Sequence, residues 1–110
     1  IKGIAEQTSD PEILRSGDQA MELNRQGMQL YQKKSFPEAL EAFRSALALQ
    51  PRNISYALNT AQSLLRLALA NPDPALRQEC LDCLQRVRNM PSSDARFERY
   101  TKLREKAESL

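Results

Sequence analysis

Residues 20–53 decide the fold, and their sequence is AMELNRQGMQLYQKKSFPEALEAFRSALALQPRN. The stretch begins with a segment of helical periodicity that runs to about Lys33. Lys34-Ser35-Phe36-Pro37 is predicted to be a turn, since proline is favoured where the next helix begins. Apolar residues then recur at spacings of three and four: Ala39, Leu40, Ala42, Phe43, Ala46, Leu47 and Leu49. The stretch is therefore predicted to form two helices joined by a short turn.

Small and large side chains occupy fixed places within these 34 residues. In order along the chain, the places hold Gly27, Leu30, Ala39, Phe43, Ala46 and Pro51. Gly27 and Ala39 would let two antiparallel helices approach closely, because neither carries a large side chain. Phe43 would fill the space between this helix pair and the next. The pattern predicts one supersecondary unit that needs a neighbour to bury its apolar face.

The length and the order of these residues resemble the tetratricopeptide repeat (TPR). The resemblance implies an all-α fold of about two antiparallel helix-turn-helix repeats, wound into a right-handed superhelix and closed by a capping helix. It also implies a protein that binds other proteins. Leu23 stands where tryptophan is common in the family, and the polar Gln26 stands where leucine is common.

A second repeat is predicted over residues 54–93. Asn53 can cap its first helix, which should run from about residue 54 to residue 70. Its turn is lengthened by Asn71-Pro72-Asp73-Pro74, and its second helix is predicted over about residues 75–89. This repeat is therefore a degenerate one.

The two ends of the chain are predicted to differ from the repeats. Residues 94–110 are predicted to form a fifth helix that caps the last repeat. Apolar residues lie on one of its faces, and the other is a solvated basic face that carries Arg96, Arg99, Lys102, Arg104 and Lys106. Residues 1–17 are a weakly structured lead-in, in which Pro11 could begin a short helix. The TPR domain is accordingly predicted over residues 18–110.

Composition and charge narrow the classes of function. The chain has 110 residues, of which 41% are hydrophobic and 27% charged, as is typical of globular domains. A net charge of +2 is too small to indicate a nucleic-acid partner, and no apolar run is long enough to predict a membrane helix. The two cysteines favour a reducing, cytoplasmic setting. Because the sequence begins at Ile1, we expect it to be a fragment of a larger protein.

The family's geometry places the first helix of each repeat along a groove that holds the partner. Seven residues are the candidate groove residues: Asn24, Met28, Tyr31, Leu58, Asn59, Gln62 and Arg66. Met21, Ser55 and Leu65 occupy further lining positions. The alternative is that Met28 and Leu65 pack against residues 1–17 or the closing helix.

Some family members hold a partner's C-terminal carboxylate with lysine, arginine and asparagine side chains. Asn59 matches the asparagine of the second repeat in that arrangement. Asn24 and Met28, however, stand where the first repeat would supply lysine and asparagine. The resemblance therefore implies that this clamp is absent.

Catalysis, metals and cofactors are not expected. The chain has no histidine, so no nucleophile–base pair can be assembled around one, and it has no glycine-rich phosphate loop. Cys80 and Cys83 are too few for a zinc site, which needs four ligands. They also lie within a helix rather than at its N-terminus, where redox pairs lie. We interpret Cys80 as a core residue and Cys83 as partly buried.

The predicted function is a non-catalytic adaptor that binds another protein or peptide. The arrangement also resembles the repeat domain that follows a receiver domain in some bacterial response-regulator-like proteins. That resemblance is carried by Leu23-Asn24-Arg25-Gln26-Gly27 and Leu58-Asn59-Thr60-Ala61-Gln62-Ser63-Leu64, and it implies a two-component signalling protein. The alternatives are self-association as a homodimer and an accessory domain of an enzyme that lies upstream.

Overall fold

The computed structural model describes the backbone of residues 11–110 and the side chains of residues 16–110, and the predictions made for residues 1–10 lie outside them. Five helices follow one another: α1 Pro11–Gln32, α2 Phe36–Leu49, α3 Ile54–Ala70, α4 Pro74–Arg86 and α5 Phe97–Glu108. Helix α1 packs on α2, α2 on α3, α3 on α4, and α5 on both α3 and α4. The predicted all-α fold of packed helix pairs is confirmed.

Helix α1 begins at Pro11, where the sequence predicted only a short helix within the lead-in. The helix continues through Ser16 and Gly17, two residues that the sequence analysis assigned to the lead-in. Proline lacks a backbone N–H, which the first turn of a helix does not need. Pro11 therefore begins the long first helix, which has 22 residues.

The end of α1 has the hydrogen bonds of a Schellman motif. The N–H of Ser35 donates to the carbonyl of Leu30 at 2.9 Å, and the N–H of Lys34 donates to that of Tyr31 at 2.9 Å. Lys34 has a φ of 64°, in the left-handed region that glycine adopts at lower cost. The turn before α2 therefore contains a local strain.

Replacing Lys34 by glycine should raise the free energy of unfolding by about 0.5–1 kcal/mol, because glycine has no Cβ to oppose a positive φ. The measurement is urea unfolding followed by circular dichroism. Lys33→Gly is the matched control: it removes the same side chain at a residue without a positive φ, and it should not stabilise the protein. Equal effects of the two substitutions on the free energy of unfolding would contradict the left-handed backbone conformation of Lys34.

Helix α3 and helix α4 are capped by side chains. The Asn53 carboxamide accepts a hydrogen bond from the N–H of Tyr56 at 3.0 Å, so the cap predicted for α3 is confirmed. Asp73 caps α4 by accepting from the N–H of Ala75 at 2.9 Å. Pro74 then occupies the first turn, where proline is tolerated. The proline-rich turn thus both ends α3 and begins α4.

The core lies around α3, which is packed on several sides. Its fully buried leucines are Leu58 and Leu64, and the buried residues of α5 are Tyr100, Leu103 and Ala107. Helix α5 begins at Phe97, three residues after the predicted start, because Asp94 instead accepts from the N–H of Arg96 in a turn at 2.8 Å. Helix α5 covers α3 and α4, as a capping helix should. None of the described helices has both the length and the apolar character needed to cross a membrane.

Candidate functional site

Six of the seven candidate residues lie together, and the seventh does not. Three of them lie on α1 and three on α3, and the two sets share hydrogen bonds or line the same pocket. Those on α1 are Asn24, Met28 and Tyr31, and those on α3 are Asn59, Gln62 and Arg66. Leu58 is 0% exposed and belongs to the core, so its prediction as a groove residue is wrong. Leu65 is also buried. Both leucines lie on the stripe of α3 that packs against neighbouring helices, and a partner cannot reach them.

Side-chain hydrogen bonds join α1 to α3 along this face. The Nδ2 of Asn59 donates to the Oδ1 of Asn24 at 2.7 Å. The hydroxyl oxygen of Tyr31 accepts from the Nε2 of Gln62 at 3.0 Å and from the Nε of Arg66 at 3.1 Å. These bonds fix the rotamers of side chains that would otherwise be mobile on a helix surface. The face is thus ordered before a partner arrives.

Helix α5 adds a cation to this face. Arg99 donates from Nη2 to the Oδ1 of Asn59 at 2.9 Å, and from Nε and Nη2 to the Oε1 of Gln62 at 3.1 and 2.5 Å. Burial lowers the pKa of Arg99, yet a guanidinium remains protonated at neutral pH. Within residues 16–110, no carboxylate forms an ion pair with it. Arg99 is a partly buried cation held by neutral amides.

We call these seven residues the groove: Asn24, Met28, Tyr31, Asn59, Gln62, Arg66 and Arg99. A pocket of about 140 Å³ opens in it, and Met28, Gln62 and Arg99 are among the residues that line the pocket. This is several times the space that one water molecule needs. A side-chain carboxylate can therefore enter the pocket.

The direction of the hydrogen bonds determines what the groove can offer to a ligand. Arginine only donates, so the amide oxygens of Asn59 and Gln62 must face Arg99, and their NH₂ groups must point towards α1. The hydroxyl oxygen of Tyr31 already accepts two bonds, which leaves its O–H as a donor. The bonding capacity that remains on Arg99 and Tyr31 is therefore donor capacity. A ligand group that binds them must be an acceptor.

One end of the groove is stiffened by aromatic contacts. The guanidinium carbon of Arg66 lies 5.3 Å from the centroid of the Phe36 ring, within cation–π range. The Tyr31 and Phe36 rings meet edge to face, with centroids 4.9 Å apart. Arg66 is therefore held between an aromatic face and the Tyr31 hydroxyl.

Arg99 was not among the predicted groove residues, because it was assigned to the solvated basic face of α5. The spacing could have indicated that Arg99 lies on the packed side of α5. Its position follows Arg96 by three residues and precedes Leu103 by four, beside the buried Tyr100. Arg96 likewise reaches across to α3, donating to the hydroxyl of Ser55 at 3.3 Å. The long arginine side chains extend beyond their own helix to acceptors on α3. Which arginine does so depends on the position of α5, and a single sequence does not give that position.

The cysteine pair lies apart from the groove, in the middle of α4. Cys80 is 0% exposed and its Sγ donates to the carbonyl of Ala61 at 3.3 Å, which confirms the core interpretation. Cys83 is 5% exposed and is therefore more buried than predicted. Burial raises the pKa of Cys80 to about 11 and that of Cys83 to about 12. Neither is a reactive thiolate at neutral pH.

The chain is 31% identical over 91 residues to the inactive TPR repeat-containing thioredoxin TTL3 of Arabidopsis thaliana. The likeness supports the TPR family. The match includes 83% of this chain, which itself spans 12% of that protein's length. No family model and no solved structure matches the chain. The helix pair α1–α2, with its buried Ala39 and Phe43, has the packing that the TPR pattern implies.

Proposed function

We propose that this chain is a non-catalytic interaction module that holds a segment of another polypeptide in the groove, with an acidic side chain of that segment bound to Arg99. The observation that carries the proposal is the state of Arg99, which is partly buried, bonded only to amides and placed beside a pocket. A carboxylate there would form charge-assisted hydrogen bonds, which are stronger than those to neutral amides.

The position of the pocket favours a side chain as the source of the carboxylate. The groove extends beyond the pocket to Asn24 of α1 on one side and to Arg66 of α3 on the other, so a segment can run through it and reach Arg99 with a side chain. The amide network supports such binding because ordered donors lose little entropy when the ligand arrives.

The absence of catalysis is part of the proposal. It is supported by the lack of histidine and by the burial of both thiols, whose pKa values are about 11 and 12. Attachment to a receiver domain in a bacterial signalling protein, a cytoplasmic location and a homodimer all stay predictions. The similar protein reported above is a plant protein, and its name mentions no receiver domain.

Selection of peptides from a random phage-displayed library tests the proposal. Peptides enriched on the wild-type chain should contain aspartate or glutamate, and Arg99→Gln should weaken their binding about tenfold. The matched control is Arg104→Gln, which removes the same charge from the exposed side of α5. It should leave the dissociation constant unchanged.

Two results would contradict the proposal. One is an enriched set without acidic residues, and the other is equal binding by wild type and Arg99→Gln. Loss of binding on amidation of the peptide's C-terminus, without loss on Glu→Gln exchange, would assign the carboxylate to a chain end instead of a side chain.

A further inference from the structure

Met21 extends the groove along α1 beyond Asn24. Met21, Asn24, Met28 and Tyr31 follow one another at spacings of three, four and three residues, so they lie on one face of the helix. Met28 is 48% exposed and Met21 is 62% exposed, which makes Met21 the most exposed large apolar side chain among the described residues. We call Met21 and Met28 the methionine strip.

A chain of hydrogen bonds connects Arg99 with this strip. Arg99 donates to Asn59, Asn59 donates to Asn24, and the Nδ2 of Asn24 lies 3.5 Å from the Sδ of Met28. Each amide in the chain is oriented by the donor before it, and the first donor is an arginine that cannot accept. Asn24 is therefore a positioning residue that holds the Met28 thioether at the edge of the pocket.

We infer that the methionine strip is a second subsite of the groove, which takes an apolar side chain of the same segment whose acidic side chain binds Arg99. The inference rests on the proposed function and narrows its ligand class to segments that carry an apolar residue close to an acidic one. Because Met28 lines the pocket beside Arg99, the two subsites are continuous. Methionine is flexible and polarizable, and it adapts to apolar side chains of differing shape.

The helix sets the spacing that the ligand must match. Met21 precedes Met28 by seven residues, or about 10 Å along α1 at 1.5 Å per residue. An extended peptide advances about 3.3 Å per residue. The apolar residue over Met21 should therefore lie about three residues from the acidic residue in the pocket.

Three capped peptides test this spacing in either binding orientation. The first is Leu-Gly-Gly-Glu-Gly-Gly-Leu, the second has alanine in place of both leucines, and the third has glutamine in place of glutamate. The protein carries three isotope-labelled methionine methyl groups, and the buried Met90 serves as an internal reference. Titration gives the dissociation constants and shows which methyl signals shift.

The leucine peptide should bind about three- to tenfold more tightly than the alanine peptide. It should shift the Met21 and Met28 signals and leave the Met90 signal in place. Met21→Gln should abolish this preference without changing the affinity for the alanine peptide. Leu49→Gln, at an exposed apolar residue of α2, is the matched control and should keep the preference.

The outcomes separate the inference from the proposed function. Equal affinities for the leucine and alanine peptides would overturn the inference alone. Equal affinities for the glutamate and glutamine peptides, or no binding of any peptide, would overturn the proposed function and the inference with it. A Met21 signal that changes with protein concentration in the absence of peptide would assign the strip to a second copy of the chain, and that also overturns the inference.

Discussion

Replacing Leu58 by alanine is expected to lower the free energy of unfolding by about 2–5 kcal/mol. Leu58 is 0% exposed in the middle of α3, so the substitution removes buried methyl groups and leaves a cavity that the surrounding helices can only partly close. Urea unfolding followed by circular dichroism gives the change. If the m value, the slope of the free energy of unfolding against urea concentration, is unchanged, the native state remains compact.

Met21→Ala is the matched control for Leu58→Ala. It removes an apolar side chain of similar size from a helix residue that is 62% exposed, and it should change the stability by less than about 0.5 kcal/mol. Small and similar effects at the two positions would contradict the structure. They would place Leu58 on the groove surface, as the sequence analysis predicted.

Replacing Gly27 by alanine should also destabilise the chain, although alanine is the better helix former. A Cβ at this position would lie 2.6 Å from two ring carbons of Phe43, whose ring is buried between helices. Forcing the helices apart costs about 1–3 kcal/mol, and the gain in helix propensity returns at most about 1 kcal/mol. The expected net loss is up to about 2 kcal/mol in the same unfolding experiment.

Gly17 supplies the control within the same helix. A Cβ there would lie 3.4 Å from the Nε2 of Gln50, an ordinary contact. Gly17→Ala should therefore stabilise α1 by up to about 1 kcal/mol. If both substitutions stabilised the protein, the close approach of α1 and α2 at Gly27 would be contradicted.

The fold could be predicted largely from local signals. Gly27 and Phe43 indicated the close packing of the first helix pair, because the space between two helices depends on the side chains at their contact. Asn53 indicated the start of α3 through its capping chemistry. These signals act within a few residues or between sequence neighbours, so one sequence is enough to find them.

The site was less predictable, because it depends on how separate helices face one another. Family geometry placed Leu58 in the groove, but in this chain α3 turns that residue into the core. Arg99 was assigned to solvent, since its own helix presents mostly charged residues around it. Its amide partners lie 37 and 40 residues away along the chain, and only packing brings them together.

A double-mutant cycle between the protein and its peptide tests the central claim most directly. Dissociation constants are measured for wild type and Arg99→Gln, each with an enriched acidic peptide and with its Glu→Gln counterpart. If the acidic side chain binds Arg99, the cycle should give a coupling energy of about 1–3 kcal/mol, and the same cycle with Arg104→Gln should give about zero. A coupling energy near zero for Arg99 would contradict the account, even if the peptide binds tightly.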